Sequence, residues 1–416
     1  MKRMLNVTNE VGRLRCVMLH RPGNELLNLS PQNLTPLLFD DIPYLSVAQA
    51  EHDAFAAALE AEGVECVYLT DLVVQAISTS MSVRRRFLED YLGESGITGT
   101  HSKALVRELL GGIEDASAFV NHLISGVRRD EIELDGADLE LADIVGCAQS
   151  GNPDLLIDPM PNLYFTRDDF TVVGSGVNIN SMATVTRRRE TLLAHYIFTY
   201  HPLLRDTPIW HNRQSPLRLE GGDFLNLTPT TVAIGISQRT VSAAIDLYAK
   251  NVFWGGKESP GIDRVFAFLI PETRAMMHLD TVFTQLDVDS FLFHPKILDT
   301  LAVYRLTRGV RFGEIYVSYV EGGLKEALGE AMGLSHVRLV PCGGSDAIAA
   351  SREQWNDGAN CLAVSPGRVI VYQRNAVTND LLYREGFELI EIPSAELSRG
   401  RGGPHCMSMP FVRDDL

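Results

Sequence analysis

The chain has 416 residues, 45% of them hydrophobic and 22% charged, a balance that fits one large globular domain with an insertion, or two to three ordinary domains. Its formal net charge of -16 disfavours a duplex or other polyanionic partner and mildly favours a cationic ligand. It has no run of about 18 apolar residues, and its widely scattered cysteines form no CxxC pair, so a soluble cytoplasmic protein with reduced thiols is expected.

In chain order, the first predicted elements are a strand in "RCVMLHRPG", a helix in "SVAQAEHDAFAAALEAEG" and a strand in "VECVYL". Residues 73–150 then change character. "MSVRRRFLEDYLGESG", "GTHSKALVRELLGGIEDASAFVNHLISGV" and "GADLELADIVGCAQSGNP" space their apolar residues as helices do, with Thr98, Thr100 and Asp138 as candidate caps. An all-helical subdomain of four or five helices is predicted there.

After it, the opening pattern returns in "LYFTRDDFTVVGSGVNINSM", "RLEGGDFLNLTPTTVAIGIS", "MMHLDTVFTQLDVDSFLFHP" and "NCLAVSPGRVIVYQRN". Each is two short strands followed by a helix and a further strand, a period of roughly 50 to 65 residues. Five such units predict radial repetition about an axis. The chain therefore reads as an α/β protein with a catalytic part at 1–72 and 151–416 and a helical insertion at 73–150.

Charged residues in "NLYFTRDDF", "LEGGDF" and "HLDTVF" fall where a buried strand is normally apolar, a cost that calls for a reason. On an extended segment His278 and Asp280 share one face. Gly221 and Gly222 permit a close approach of backbone or ligand between Glu220 and Asp223. A radial arrangement brings these positions to a common centre, where they meet Cys406. Taken singly, a cysteine is most often a packing residue, an HxD a surface pair and an EGGD a turn.

A thiol of ordinary pKa, about 8.5, is only a few per cent thiolate at neutral pH and needs a nearby imidazolium to act as a nucleophile. Adjacent residues of an extended segment face opposite ways, so His405 is the weaker partner for Cys406 and His278 the stronger. Glu220 beside His278 would keep that imidazole charged. Asp168 and Asp280 are then left over, and two carboxylates suit the planar N–H fork of a guanidinium. Neither "GGKESPG" nor "GSGVNI" satisfies a nucleotide-binding pattern.

The ordered set "EVGRLRCVMLHRPG", "LLFDDIPYL", "NLYFTRDDF", "EGGDFL", "MHLDTVFT", "REQWNDGAN" and "GRGGPHCMSMP" resembles the bacterial arginine deiminase family, from about residue 5 to the end. The resemblance implies the pentein fold, a five-bladed α/β propeller of pseudo-fivefold symmetry with an inserted all-helical subdomain. It also implies hydrolysis of L-arginine to L-citrulline and ammonia without metal or organic cofactor, by a protein that tends to form dimers or tetramers. Carried over, Cys406 resembles the nucleophile that forms a covalent amidino-cysteine, and His278 the general acid and base. Glu220 resembles the group that orients His278, and Asp168 and Asp280 the carboxylates that grip the guanidinium. Asn162, Arg187 and Arg239 match positions for the substrate α-carboxylate, with Arg188 or Arg189 open as alternatives to Arg187. Phe165, Asp223 and Gly400 would line the pocket, and Arg401 resembles a mobile-loop arginine that closes it.

Three rival functions are compatible with a cysteine and a histidine: a dimethylarginine hydrolase or amidinotransferase, a cysteine peptidase, and a non-catalytic arginine-binding protein. The first is disfavoured by the helical insertion, the second by the spare carboxylates, the third by the completeness of the set.

Overall fold

The computed structural model describes residues 5–136, 138–256 and 259–416. Among them, five sheets share one strand order: an antiparallel pair, then a strand added in parallel through a helix. Phe170–Val173 and Gly176–Ile179 form such a pair, followed by the helix Glu190–Tyr200 and the parallel strand Ile209–His211. Phe224–Thr228, Thr231–Ile236, the helix Ser242–Trp254 and Arg264–Leu269 repeat the pattern. So do Phe283–Asp287, Ser290–Phe293, Leu324–Met332 and Arg338–Pro341. A further copy consists of Leu362–Ser365, Arg368–Tyr372, Ala376–Arg384 and Glu388–Ile392.

The remaining unit joins the two ends of the chain. Leu14–Leu19 takes Glu65–Tyr68 in parallel through the helix Leu45–Ala61, and its antiparallel neighbour is Met409–Arg413, with Val17 opposite Pro410. The segment that begins at Met409 is thus fixed beside the N-terminal strand, and Cys406 lies just upstream of it. One sheet is larger than the rest: the hairpin Ala302–Arg308 and Ile315–Tyr319 leaves its own unit and pairs with Arg264–Leu269.

The strands are short apolar runs such as TVAIGI and SFLF, buried along nearly their whole length, as expected of strands covered by helices on one face and neighbouring units on the other. Five helices occupy the predicted insertion: Leu69–Ile77, Met81–Glu94, Thr100–Gly111, Ala116–Ser125 and Leu141–Val145. The first starts before residue 73, directly from the strand Glu65–Tyr68. Thr98 and Thr100 do not cap; Gly99 precedes the Thr100–Gly111 helix, and Asp143 accepts from the Ser102 N–H at 2.8 Å in place of a local cap. Glu140, not Asp138, precedes the Leu141–Val145 helix. Phe87 meets Tyr196 at a ring distance of 4.7 Å, so the inserted helices share a core with the Glu190–Tyr200 helix. Among the described residues no helix is long and apolar enough to cross a membrane.

Candidate active site

The polar residues singled out from the sequence sit on turns, not on strands. His278 precedes a four-residue helix, Leu279–Val282, and Gly221–Asp223 is a 3-10 turn after an extended Glu220. Asp168 lies in the turn before Phe170–Val173 and Cys406 in the turn before Met409–Arg413. The expected extended geometry for His278 and Asp280, and for His405 and Cys406, is therefore replaced by helical turns. A buried strand pairs its backbone along the ladder, whereas a turn leaves polar side chains to satisfy the freed backbone groups. Each unit delivers its polar residue from the same place, immediately upstream of its first strand.

Cys406, His278, Asp168, Asn162, Phe165, Arg187, Arg239, Gly400 and Arg401 face one cavity, together with Leu38, Arg274 and Met277. Its free volume is about 20 Å³, room for about one water. Arg401 is in its wall, with a left-handed backbone at φ 68° and its guanidinium stacked 3.6 Å from the Trp355 ring centre. Asp40 holds it in place, 2.5 Å from Arg274 and 3.7 Å from Arg401.

His278 Nε2 hydrogen-bonds Glu220 Oε2 at 2.8 Å, and its Nδ1 lies 3.7 Å from Asp168 Oδ1. Burial alone would push this imidazole down; the Asp168 charge and the Glu220 hydrogen bond outweigh it and push the pKa up to about 9. Glu220 is buried too, but Arg239 and His278 hold it down at about 2. Its other oxygen accepts from the Ala183 N–H at 2.8 Å. The pair is an imidazolium beside a carboxylate.

Cys406 is placed against Asp280, with Sγ 3.4 Å from Oδ2. Burial, and then the charges of Asp280, Asp168 and Asp357, push its thiol well above the ordinary range. Among the described residues Asp280 Oδ1 is buried without a hydrogen-bond partner. Burial raises the pKa of Asp280, but the 2.8 Å hydrogen bond from His405 Nδ1 and the charges of His405, His278 and Arg167 together outweigh it, and the carboxylate is held below its usual range.

Gly222 is required by close approach. A Cβ there would fall 2.6 Å from His278 Nδ1 and 2.9 Å from Asp168 Oδ1, between the imidazole and the carboxylate.

Several residues have partners that the sequence did not disclose. Arg187 donates to Asp168 Oδ2 at 2.6 Å and to Glu190 Oε2 at 2.7 Å, so its guanidinium is already engaged; Arg188 is exposed and Arg189 is bound to Asp158 O at 2.7 Å. Asn162 donates to Leu37 O at 2.8 Å. Asp223 does not face the cavity. It accepts from the Leu279 N–H at 3.0 Å and from Ser237 Oγ at 2.6 Å, bracing the turn that follows His278.

Asn360 is the residue that sequence reasoning missed. Its Oδ1 accepts from the N–H groups of Gly403 at 3.1 Å and Cys406 at 3.0 Å, while its Nδ2 donates to Asp280 O at 2.9 Å. It ties the cysteine turn to the Asp280 turn. The signal was available: Asn360 stands immediately upstream of Leu362–Ser365, the position from which every other unit contributes. Among the described residues no three His, Cys, Asp or Glu side chains are arranged to hold a metal ion.

A buried thiol, an imidazolium flanked by two carboxylates and a third carboxylate against the sulfur, on this repeated α/β frame, define a pentein-fold protein with a cysteine–histidine–carboxylate site. The fold is shared with a dimethylarginine dimethylaminohydrolase (14% identity, TM-score 0.51, covering 96% of this chain and 100% of that one). It is shared also with an amidinotransferase of saxitoxin biosynthesis from Microseira wollei (15% identity, TM-score 0.55, covering 99% and 98%). The family model for arginine deiminase matches residues 35–413. Curated arginine deiminases of Treponema denticola and Clostridium perfringens are 47% and 46% identical to this chain, each covering at least 99% of both sequences. The chain belongs to the arginine deiminase family.

Proposed function

We propose that this chain hydrolyses L-arginine to L-citrulline and ammonia through a covalent adduct on Cys406. The observation that carries the reading is the contact of Cys406 Sγ with Asp280 Oδ2 at 3.4 Å, in a site where Asp168 and His278 face the same sulfur-lined cavity. A guanidinium held between the two carboxylates places its carbon against the sulfur, and its charge offsets the negative field that keeps the thiol protonated. Substrate binding thus drives the thiol to lose its proton.

The thiolate adds to the guanidinium carbon. His278 gives its proton to the departing nitrogen, ammonia leaves, and a thiouronium remains on Cys406. Neutral His278 then takes a proton from water, the resulting hydroxide adds to the same carbon, and the C–S bond breaks to release citrulline. The proton freed from the added hydroxyl restores the thiol, and the proton shed on substrate binding leaves with ammonia as ammonium. Asp280 Oδ1, without a protein partner, is available to the guanidinium and to the attacking water.

The finer reading of the architecture belongs here. The five units act as blades of a pseudo-fivefold propeller around the site, formed by 1–72 and 151–416, with 73–150 as an inserted helical bundle. The common strand order and the common place of the polar turns support it. Arg187, through the Nη2 that Asp168 and Glu190 leave without a hydrogen bond among the described residues, takes the substrate α-carboxylate with Arg239 and Asn162; Phe165 and Gly400 line its path, Asp223 supports the His278 turn, and Arg401 is the gate. A cytoplasmic homo-oligomer acting without metal or organic cofactor completes the reading. Incubation with free L-arginine tests it: citrulline and ammonia in equal amounts are expected, and N-methylated arginines should turn over poorly. No citrulline near neutral pH contradicts it.

A further inference from the structure

Behind Asp280 lies a second set of buried ionisable groups that the reaction does not touch. His405 Nδ1 hydrogen-bonds Asp280 Oδ2 at 2.8 Å, and its Nε2 faces Glu10 Oε2 at 3.3 Å. Glu10 Oε1 accepts from the Asn226 N–H at 2.8 Å, and Arg167 Nη1 lies 4.0 Å from Glu10 Oε2. Arg167 returns to the turn of the nucleophile, donating from Nε to His405 O at 3.2 Å and from its backbone N–H to Cys406 O at 3.1 Å. Each of the four residues, Glu10, Arg167, Asp280 and His405, is at most 3% exposed. A buried acid–histidine–acid chain is costly unless every member is paired.

We propose that Glu10 and His405 are a positioning pair for the reaction: Glu10 orients the imidazole, and the imidazole fixes Asp280 for the guanidinium and for water. An imidazole that serves two carboxylates turns one ring nitrogen toward each of them. Its Nδ1–H holds Oδ2 of Asp280, which sets the rotation of the carboxylate and leaves Oδ1 as the oxygen without a protein partner. His405 Nδ1 and the Cys406 sulfur meet the same oxygen, Oδ2 of Asp280, at 2.8 and 3.4 Å, so the imidazole holds the oxygen that faces the nucleophile. Glu10 is held down to about 2 despite its burial, chiefly by the hydrogen bond from His405, with Arg167 adding to the effect. Glu10, His405 and Asp280 thus stand to one another as orienting acid, imidazole and working group.

The inference rests on the arginine-hydrolysis reading, and the test separates the two. Asparagine at 405 carries an N–H near the place of Nδ1, and glutamine carries one near the place of Nε2. Steady-state kinetics on arginine should therefore show that H405Q loses roughly 10- to 100-fold, mainly in kcat, and that H405N recovers most of that loss. E10Q keeps the acceptor for Asn226 and should lose less than H405Q. The double variant E10Q/H405Q should be no slower than H405Q alone, because the two act through one chain. Equal impairment of H405N and H405Q, or losses that multiply in the double variant, with matching falls in melting temperature, would mean a packing role and overturn the inference. Unchanged kinetics in H405Q would do the same while citrulline formation by the wild type left the functional reading intact. A wild-type protein that forms no citrulline overturns that reading itself.

Discussion

His278 and Glu220 are joined by a 2.8 Å hydrogen bond with both groups buried, and that bond, with Asp168 on the other ring nitrogen, makes the imidazole a cation at neutral pH. The folded-state pKa of His278, about 9, lies above its ordinary 6.5. Its charge therefore stabilises the fold fully below the lower value, and the contribution is lost as pH rises through the higher one. Glu220 runs the other way: its pKa falls from 4.5 to about 2, so its contribution is present above the first value and lost as pH falls through the second.

Replacing Glu220 with Gln should remove one of the two main supports for the imidazolium, the other being the charge of Asp168. The alkaline limb of the kcat profile should move to lower pH, and kcat should fall roughly 100-fold or more. A profile that keeps its alkaline limb would mean that another group sets it.

Cys406 should be a thiol in the free enzyme. Burial and the surrounding carboxylates push its pKa well up, so the ultraviolet thiolate absorbance of wild-type protein, with that of Cys406→Ser subtracted, should be absent at neutral pH. A thiolate signal there before any ligand is added would reverse the order of events proposed for substrate binding.

Gly222→Ala should abolish turnover without unfolding the protein. The added methyl would fall 2.6 Å from His278 Nδ1 and must displace either the imidazole or Asp168. A loss of at least roughly 100-fold in kcat is expected from such a misplacement, with a melting curve close to that of wild type. Normal activity would show that this approach is not needed.

Asn360→Ala should loosen the cysteine turn. Its acceptor for the Gly403 and Cys406 N–H groups and its donor to Asp280 O are lost together. Stability should fall by about 1 to 3 kcal/mol for the unsatisfied buried groups, and kcat should fall with it. Asn360→Asp keeps the acceptor and should retain more stability than Ala; the reverse order in chemical denaturation would contradict the assignment.

Much of this was legible in the sequence. Alternating strand and helix patterns exposed the repeated strand order, the shift to helical spacing marked the run of helices between Leu69 and Val145, and charged residues in apolar runs marked the turns upstream of the first strands. What escaped was local and long-range at once. Four-residue turns such as Leu279–Val282 leave no periodicity, so extended geometry was inferred for His278 and Asp280. The helix Leu69–Ile77 begins at Tyr68 with no side-chain cap, which hid the start of the insertion. In the sequence His405 reads as the weaker partner of Cys406, because neighbours on a strand diverge, yet its turn carries it to Asp280. The partners of Arg187, Asn360 and His405 are fixed by tertiary placement, which spacing along the chain does not encode.

The central claim is that Cys406 attacks the guanidinium carbon. Rapid quench of wild-type protein with L-arginine, followed by mass spectrometry of its peptides, tests this directly. A mass gain equal to arginine less ammonia should appear on the peptide carrying Cys406 and decay as citrulline forms. An adduct on any other residue, or citrulline produced with no adduct at any time, would contradict the account.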